Sequence, residues 1–128
     1  MIVVEADDDL AACVMGFFAG RFDVKRAADL RTASDGVVDY PVDVLFADID
    51  ATSPDDLNTI TTIRQNHPGL GIIVTHLAPM RTEDSYARLS ASADVVVRKP
   101  YNLTEVDVAM RSVNEEPITG EDTEEVQP

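Results

Sequence analysis

The sequence holds one cysteine, Cys13, and no tryptophan. A single thiol can form neither an internal disulfide nor a cysteine metal site, so the expected compartment is the reducing cytosol. No apolar run approaches the roughly 18 residues a membrane-spanning helix needs. The opening Met1-Ile2-Val3-Val4-Glu5 has no basic n-region and meets an acid at once, so it does not read as a signal peptide. No glycine-rich phosphate loop follows this first apolar run, and no nucleophile has a base partner beside it. Both absences argue against a small α/β enzyme or a flavin carrier. The two histidines, His67 and His76, are not at metal-binding spacing. Lysine is scarce as well: Lys25 and Lys99 stand against 24 acids, and the net charge is −14. That field repels phosphate backbones and excludes direct nucleic-acid binding. An acidic, lysine-poor surface suits a salt-rich cytoplasm, where screening removes the self-repulsion; an acidic protein of an ordinary cytoplasm is the other reading.

What is present is a chain of 128 residues, 45% apolar, enough for one domain with a real core. Short apolar runs alternate with helical periodicity, the βαβα signature of a parallel sheet. The pattern predicts a first strand at Ile2–Glu5, then a helix capped by Asp7, Asp8 and Asp9, with Leu10, Val14, Phe17 and Phe18 facing inward and Gly20 as terminator. Phe22–Ala27 follows as a strand near an edge, since it carries Asp23, Lys25 and Arg26. A weaker helix covers residues 29–40, and Val42–Asp48 is the third strand. Ser53-Pro54-Asp55-Asp56 opens a helix with Ser as N-cap, Pro at the first position and acids in the first turn; Leu57, Ile60 and Ile63 face inward. Leu70–Thr75 is the fourth strand. Thr82, Glu83 and Asp84 open a fourth helix, with Tyr86, Ala87 and Leu89 as its few apolar residues. Asp94–Arg98 is the fifth strand. Asn102 and Glu105 open the last helix, whose inward stripe is Val106, Ala109, Met110 and Val113. The domain is expected to span 1–114. Residues 115–128 carry six acids and no base, and are expected to form an acidic disordered tail.

Right-handed crossovers in such a chain bring all strand carboxyl ends to one edge, where open α/β sheets bind ligands. Glu5, Asp48, Thr75 and Lys99 fall at or just past four of those ends. Asp48 is the most telling of them. It closes the apolar run Val44-Leu45-Phe46-Ala47, where a carboxylate has no packing role. The remaining candidates have plainer readings: His76 as a strand-end histidine, His67 as a helix-terminus residue, Cys13 as a core residue of the first helix.

The ordered set Val3-Val4-Glu5 with acids following, Asp43-Val44-Leu45-Phe46-Ala47-Asp48, Ile72-Ile73-Val74-Thr75 and Lys99-Pro100-Tyr101 resembles the receiver domain of two-component response regulators over residues 1–113. The resemblance implies a three-layer αβα sandwich, doubly wound, with five parallel strands in the flavodoxin-like order 2-1-3-4-5. It implies a phosphoryl group accepted on Asp48 from a histidine kinase, with Mg²⁺ as cofactor. Lys99 would reach the phosphoryl oxygens and Thr75 would bond the phosphoryl group, although spacing back from Lys99 would put Leu77 at the hydroxyl position. Glu5, Asp48 and the Asp50 backbone carbonyl would hold the metal. The implied partners are a histidine kinase or phosphotransfer protein and a downstream effector protein. No activity beyond self-catalysed phosphoryl transfer is implied. The Lys99–Pro100 bond is expected to be cis.

Three departures bear on this reading. The family has two adjacent acids after the first strand, whereas here Glu5 is followed by Ala6, so one direct metal ligand is missing and Mg²⁺ should be weakened. Asp7 or the Asp50 side chain is the candidate substitute. Val96 stands three residues before Lys99, where the family commonly places a ring that couples to the threonine. The loop Thr52-Ser53-Pro54-Asp55-Asp56 differs from the family's usual pattern. The expectation is a stand-alone, cytoplasmic receiver read out near the fourth and fifth helices. The alternative is a pseudo-receiver, a phosphorylation-independent interaction module of the same fold.

Overall fold

A computed structural model describes residues 1–77 and 83–114. The order is β1 (Ile2–Val4), α1 (Asp8–Phe18), β2 (Lys25–Ala27), α2 (Leu30–Asp39), β3 (Val44–Asp48), α3 (Pro54–Asn66), β4 (Gly71–His76), α4 (Glu83–Ser92), β5 (Val95–Arg98) and α5 (Leu103–Asn114). The five strands form one parallel sheet in the order β2-β1-β3-β4-β5. This is the expected doubly wound, flavodoxin-like topology. Thr82 and the acidic segment 115–128 lie outside the described residues.

The alternation of side chains along each strand sorts the core into two layers. Ile2, Val4, Leu45, Ala47, Ile72 and Val74 face Leu30, Ala33 and Val37 of α2, Leu57, Ile60 and Ile63 of α3, Leu89 of α4, and Ala93 just past its end. On the other side Val3, Val44, Phe46, Ile73 and Val97 face Val14 and Phe18 of α1 and Val106, Ala109 and Met110 of α5. The central strands β3 and β4 are buried on both faces, as parallel strands covered by helices must be. Emptying one such position, for example Phe46→Ala, is expected to cost about 3–5 kcal/mol. At Gly36 a Cβ would meet Ile2 Cδ1 at 3.1 Å, so the glycine that weakens the propensity of α2 also lets it lie close on β1.

The helix caps follow the sequence. Ser53 accepts from the Asp56 amide with Pro54 in the first turn of α3, and Asn102 and Glu105 exchange side-chain bonds with each other's amides at 3.0 and 2.9 Å. The His67 amide closes α3 on the Ile63 carbonyl. Several expectations need correction. On α1 the buried stripe is Ala11, Val14 and Phe18; Phe17 is 41% exposed and Cys13 is exposed, because both lie on the arc turned away from the sheet. Helix α1 stops without a left-handed glycine: the Arg21 and Phe22 amides both return to the Phe18 carbonyl at 2.9 Å, and no glycine among the described residues has positive φ. Tyr86 of α4 is exposed, leaving Leu89 as the inward residue. Strand β2 is an edge, as its charges suggested, and pairs only over Lys25–Ala27; β3 begins at Val44 rather than Val42.

Candidate functional site

Parallel pairing places Asp48 directly opposite Thr75 across β3 and β4. Their side chains therefore emerge on the same face at the carboxyl edge, and Thr75 Oγ1 donates to Asp48 Oδ1 at 2.9 Å. Lys99 follows β5, and its amide donates to the His76 carbonyl at 2.7 Å, which carries the β4–β5 pairing one residue past the strand. The Lys99–Pro100 bond is cis. From there the Lys99 ammonium stands 3.2 Å from Asp48 Oδ1 and 2.7 Å from Glu5 Oε1. Glu5 lies one residue beyond β1 and is 2% exposed; its Oε2 accepts the Asp7 amide at 3.0 Å. Thus Glu5, Asp48, Thr75 and Lys99, drawn from four strand ends, meet in one place. Leu77, the other candidate for the hydroxyl position, is an exposed residue past the end of β4.

The electrostatics follow from burial and from these contacts. Burial pushes the Asp48 carboxyl above the usual carboxylate value; the Thr75 hydrogen bond and the Lys99 charge oppose the rise, and the Glu5 charge adds to it. Burial works against the Lys99 ammonium, yet the Glu5 hydrogen bond and the Asp48 charge outweigh it and hold its pKa above the ordinary lysine value. Beside them the Tyr101 ring packs edge-on to Phe46, and its buried hydroxyl has no hydrogen-bond partner among the described residues. Burial and the Glu5 and Asp48 charges raise the pKa of that hydroxyl, so it stays a neutral phenol.

The other half of the site is arranged differently. Asp7 caps α1, its Oδ1 accepting the Leu10 amide at 3.0 Å. The Asp50 carboxylate turns back on its own loop and accepts from both the amide and the hydroxyl of Thr52, at 2.9 and 2.6 Å; these bonds lower its pKa. The Asp50 carbonyl accepts the Ser53 amide at 3.0 Å, and the Asp50 amide donates to Asp56 Oδ2 at 2.9 Å. The structure therefore brings neither the Asp7 nor the Asp50 carboxylate to Asp48. Glu5, Asp48 and the Asp50 carbonyl are hard oxygen donors of the kind Mg²⁺ takes, and Glu5 Oε1 is buried with only the ammonium against it. The donors fit the ion in kind and fall short in number. Ala6 offers a methyl group, and among the described residues no three His, Cys, Asp or Glu side chains form a metal cluster.

One participant escaped the sequence reading. Arg26, on edge strand β2, reaches across the end of β1: Nη2 donates to the Glu5 carbonyl at 2.6 Å, and Nη1 pairs with Asp8 Oδ1 at 2.8 Å. The signal was present in the sequence as an arginine near the carboxyl end of a strand that pairs with β1, but it read as an ordinary edge-strand charge.

Solved structures similar to this one include response regulators and a response regulator receiver domain. NtrX from Brucella abortus in complex with ADP matches with a TM-score of 0.70 at 22% identity, over 88% of this chain and 26% of that one. The chain therefore spans about a quarter of the length of that protein. A two-component response regulator from Clostridium difficile matches with a TM-score of 0.74 at 17% identity, over 90% of this chain and 94% of that one. The Vibrio cholerae chemotaxis protein CheY4 matches with a TM-score of 0.72 at 16% identity, over 88% and 95%. The fold is the receiver fold. No protein-family model matches the sequence, and no curated protein does. No helix among the described residues is long and apolar enough to cross a membrane.

Proposed function

We propose that this chain is a receiver of a two-component phosphorelay, accepting a phosphoryl group on Asp48 from the phosphohistidine of a kinase or phosphotransfer protein. The observation that carries the reading is the convergence of Thr75 and Lys99 on Asp48 Oδ1. Both contacts fall on that oxygen, so Oδ2 is the one offered to phosphorus. It forms the new O–P bond as the donor's N–P bond breaks, and the electron pair stays with the donor imidazole. Lys99 faces the charge that gathers on the phosphoryl oxygens, and Thr75 supplies a hydroxyl to one of them. Mg²⁺, held by Glu5, Asp48 and the Asp50 carbonyl, would supply further charge neutralisation, weakened by Ala6. The protein does no chemistry beyond its own phosphorylation. It works in the cytoplasm, and a face near α4 and α5 passes the signal to an effector protein. Val96 offers no ring to couple to Thr75, so that signal takes another route. Treatment with acetyl phosphate and Mg²⁺ should give an acid-labile phosphate on the protein, absent in Asp48→Asn. No label at high Mg²⁺ and high salt would sink the proposal.

A second reading is a pseudo-receiver that holds this fold as an interaction module without phosphorylation. Ala6 favours it, as does the Lys99 ammonium, which already bridges Glu5 and Asp48. Titration with Mg²⁺ separates the two, since a pseudo-receiver should bind none at millimolar concentration.

A further inference from the structure

Every polar atom of Glu5 beyond its own amide is engaged: Oε1 by Lys99, Oε2 by the Asp7 amide, and the carbonyl by Arg26. Arg26 comes from outside the site. In register it sits opposite Val3 on β1, so its side chain rises on the α1 face of the sheet and turns over the end of the neighbouring strand. Its two partners differ in weight. Asp8 is 89% exposed, and an ion pair in open solvent contributes little. The bond to the Glu5 carbonyl is short, charge-assisted and partly buried, and it fixes the peptide that carries the Glu5 side chain. With no acid at position 6 for a metal ion to pull on, the β1–α1 loop relies on this guanidinium to hold Glu5 where it can aim Lys99.

The geometry points to Arg26 as a positioning residue of the acceptor site: it anchors the Glu5 peptide, and through the Glu5 carboxylate it sets the Lys99 ammonium against Asp48. Arg26 does not touch the reacting atoms. Its chemical role in transfer rests on the receiver reading, whereas its hold on the loop does not.

The test uses Arg26→Met, Arg26→Lys and Asp8→Asn in the full chain, with two readouts. One is hydrogen exchange of the Asp7 amide, which bonds Glu5 Oε2. The other is the rate of Asp48 labelling by acetyl phosphate at saturating Mg²⁺. Arg26→Met should speed Asp7 exchange about tenfold, the amount expected for a lost charge-assisted bond, with core amides such as that of Ile73 unchanged. Labelling should slow by about tenfold to a hundredfold, because small misplacements of a charge-stabilising group cost that much. Arg26→Lys, which lacks the fork, should fall between wild type and Met. Asp8→Asn, which keeps the carbonyl bond, should match wild type in both readouts. In a Glu5→Gln background, Arg26→Met should slow labelling no further, because the carboxylate through which it acts is already gone. Unchanged Asp7 exchange in Arg26→Met, or a rate loss that adds fully to that of Glu5→Gln, overturns the proposal. If wild type takes no phosphoryl group yet Asp7 exchange responds to Arg26→Met, the receiver reading falls and the anchoring of Glu5 stands.

Discussion

On the β3–β4–β5 side of the site, a hydroxyl and an ammonium lie 2.9 and 3.2 Å from one oxygen of Asp48. On the β1–α1 and β3–α3 side, three acids near the same edge do other work: Asp7 caps a helix, Asp50 binds Thr52, and Asp8 pairs with Arg26. The two halves are built from similar residues at similar strand ends. They differ in what each carboxylate has as its nearest neighbour. Where strand register forces a residue opposite another, as it does Asp48 and Thr75, side chains meet across the sheet. Where a carboxylate sits in a loop next to free helix amides, it turns to those amides first. The Asp48 half is thus dictated by the sheet, and the loop half is left to whatever the helix amides do not consume.

The largest effect should come from removing the cation that joins the halves. Lys99→Met leaves the Glu5 carboxylate buried beside Asp48 with the Asp7 amide but no counter-charge, and should cost about 3–5 kcal/mol of stability in urea unfolding. It should also abolish labelling of Asp48. Adding Glu5→Gln should recover most of the stability and none of the labelling. If the single variant loses less than about 1 kcal/mol, the pair is no more than a surface contact and the two halves are not joined through it.

Restoring an acid to the weak half is the next step. Ala6→Asp should tighten Mg²⁺ by about tenfold or more, measured by calorimetry, since even indirect ligand support is worth that much. It should leave the Asp48–Thr75 contact unchanged. If Mg²⁺ binding does not respond, the deficit lies in the Asp50 loop rather than at position 6, and the comparison between the halves must be redrawn around Asp50 and Ser53.

This division also explains how far the sequence could be read. The fold was legible because Val44–Ala47 and Ile72–Val74 are continuous apolar runs separated by well-capped helices, and a parallel sheet is the arrangement that buries both faces of such runs. Asp48, Thr75, Lys99 and Glu5 were legible because a strand end projects its residue to a known edge. Helix α1 was misread at Phe17 and Cys13 because its apolar residues nearly encircle it, so the pattern did not select an arc. The destinations of the Asp7 and Asp50 side chains were not legible, because a loop carboxylate chooses among nearby amides by local geometry that spacing does not encode. Arg26 was missed for the same reason: its partner is a backbone carbonyl, which leaves no mark in a sequence.

The smallest expected effect concerns pH, and it tests whether Lys99 belongs to both halves at once. Its folded pKa is raised above the ordinary 10.5, so the folded state binds its proton more tightly than the unfolded chain does. The resulting stability is fully present below about 10.5, the unfolded value, and is lost as pH rises through the folded value. Asp48 has the opposite consequence for its charged form. Its folded pKa is also raised, so its contribution is present below the ordinary carboxylate value of 3.8 and lost as pH rises through the folded value. The Tyr101 phenol, whose pKa is also raised, titrates on the same alkaline limb, so the ammonium is isolated in a Tyr101→Phe background. Urea unfolding in that background, followed from below about 10.5 to well above it, should show a steeper loss with Lys99 present than in Lys99→Met. It should be shallower again with Glu5→Gln than without it, because the Glu5 hydrogen bond is the largest of the contributions that raise the Lys99 pKa. Equal slopes with and without Glu5→Gln would mean that Asp48 alone holds the ammonium, and that Lys99 belongs to the Asp48 half only.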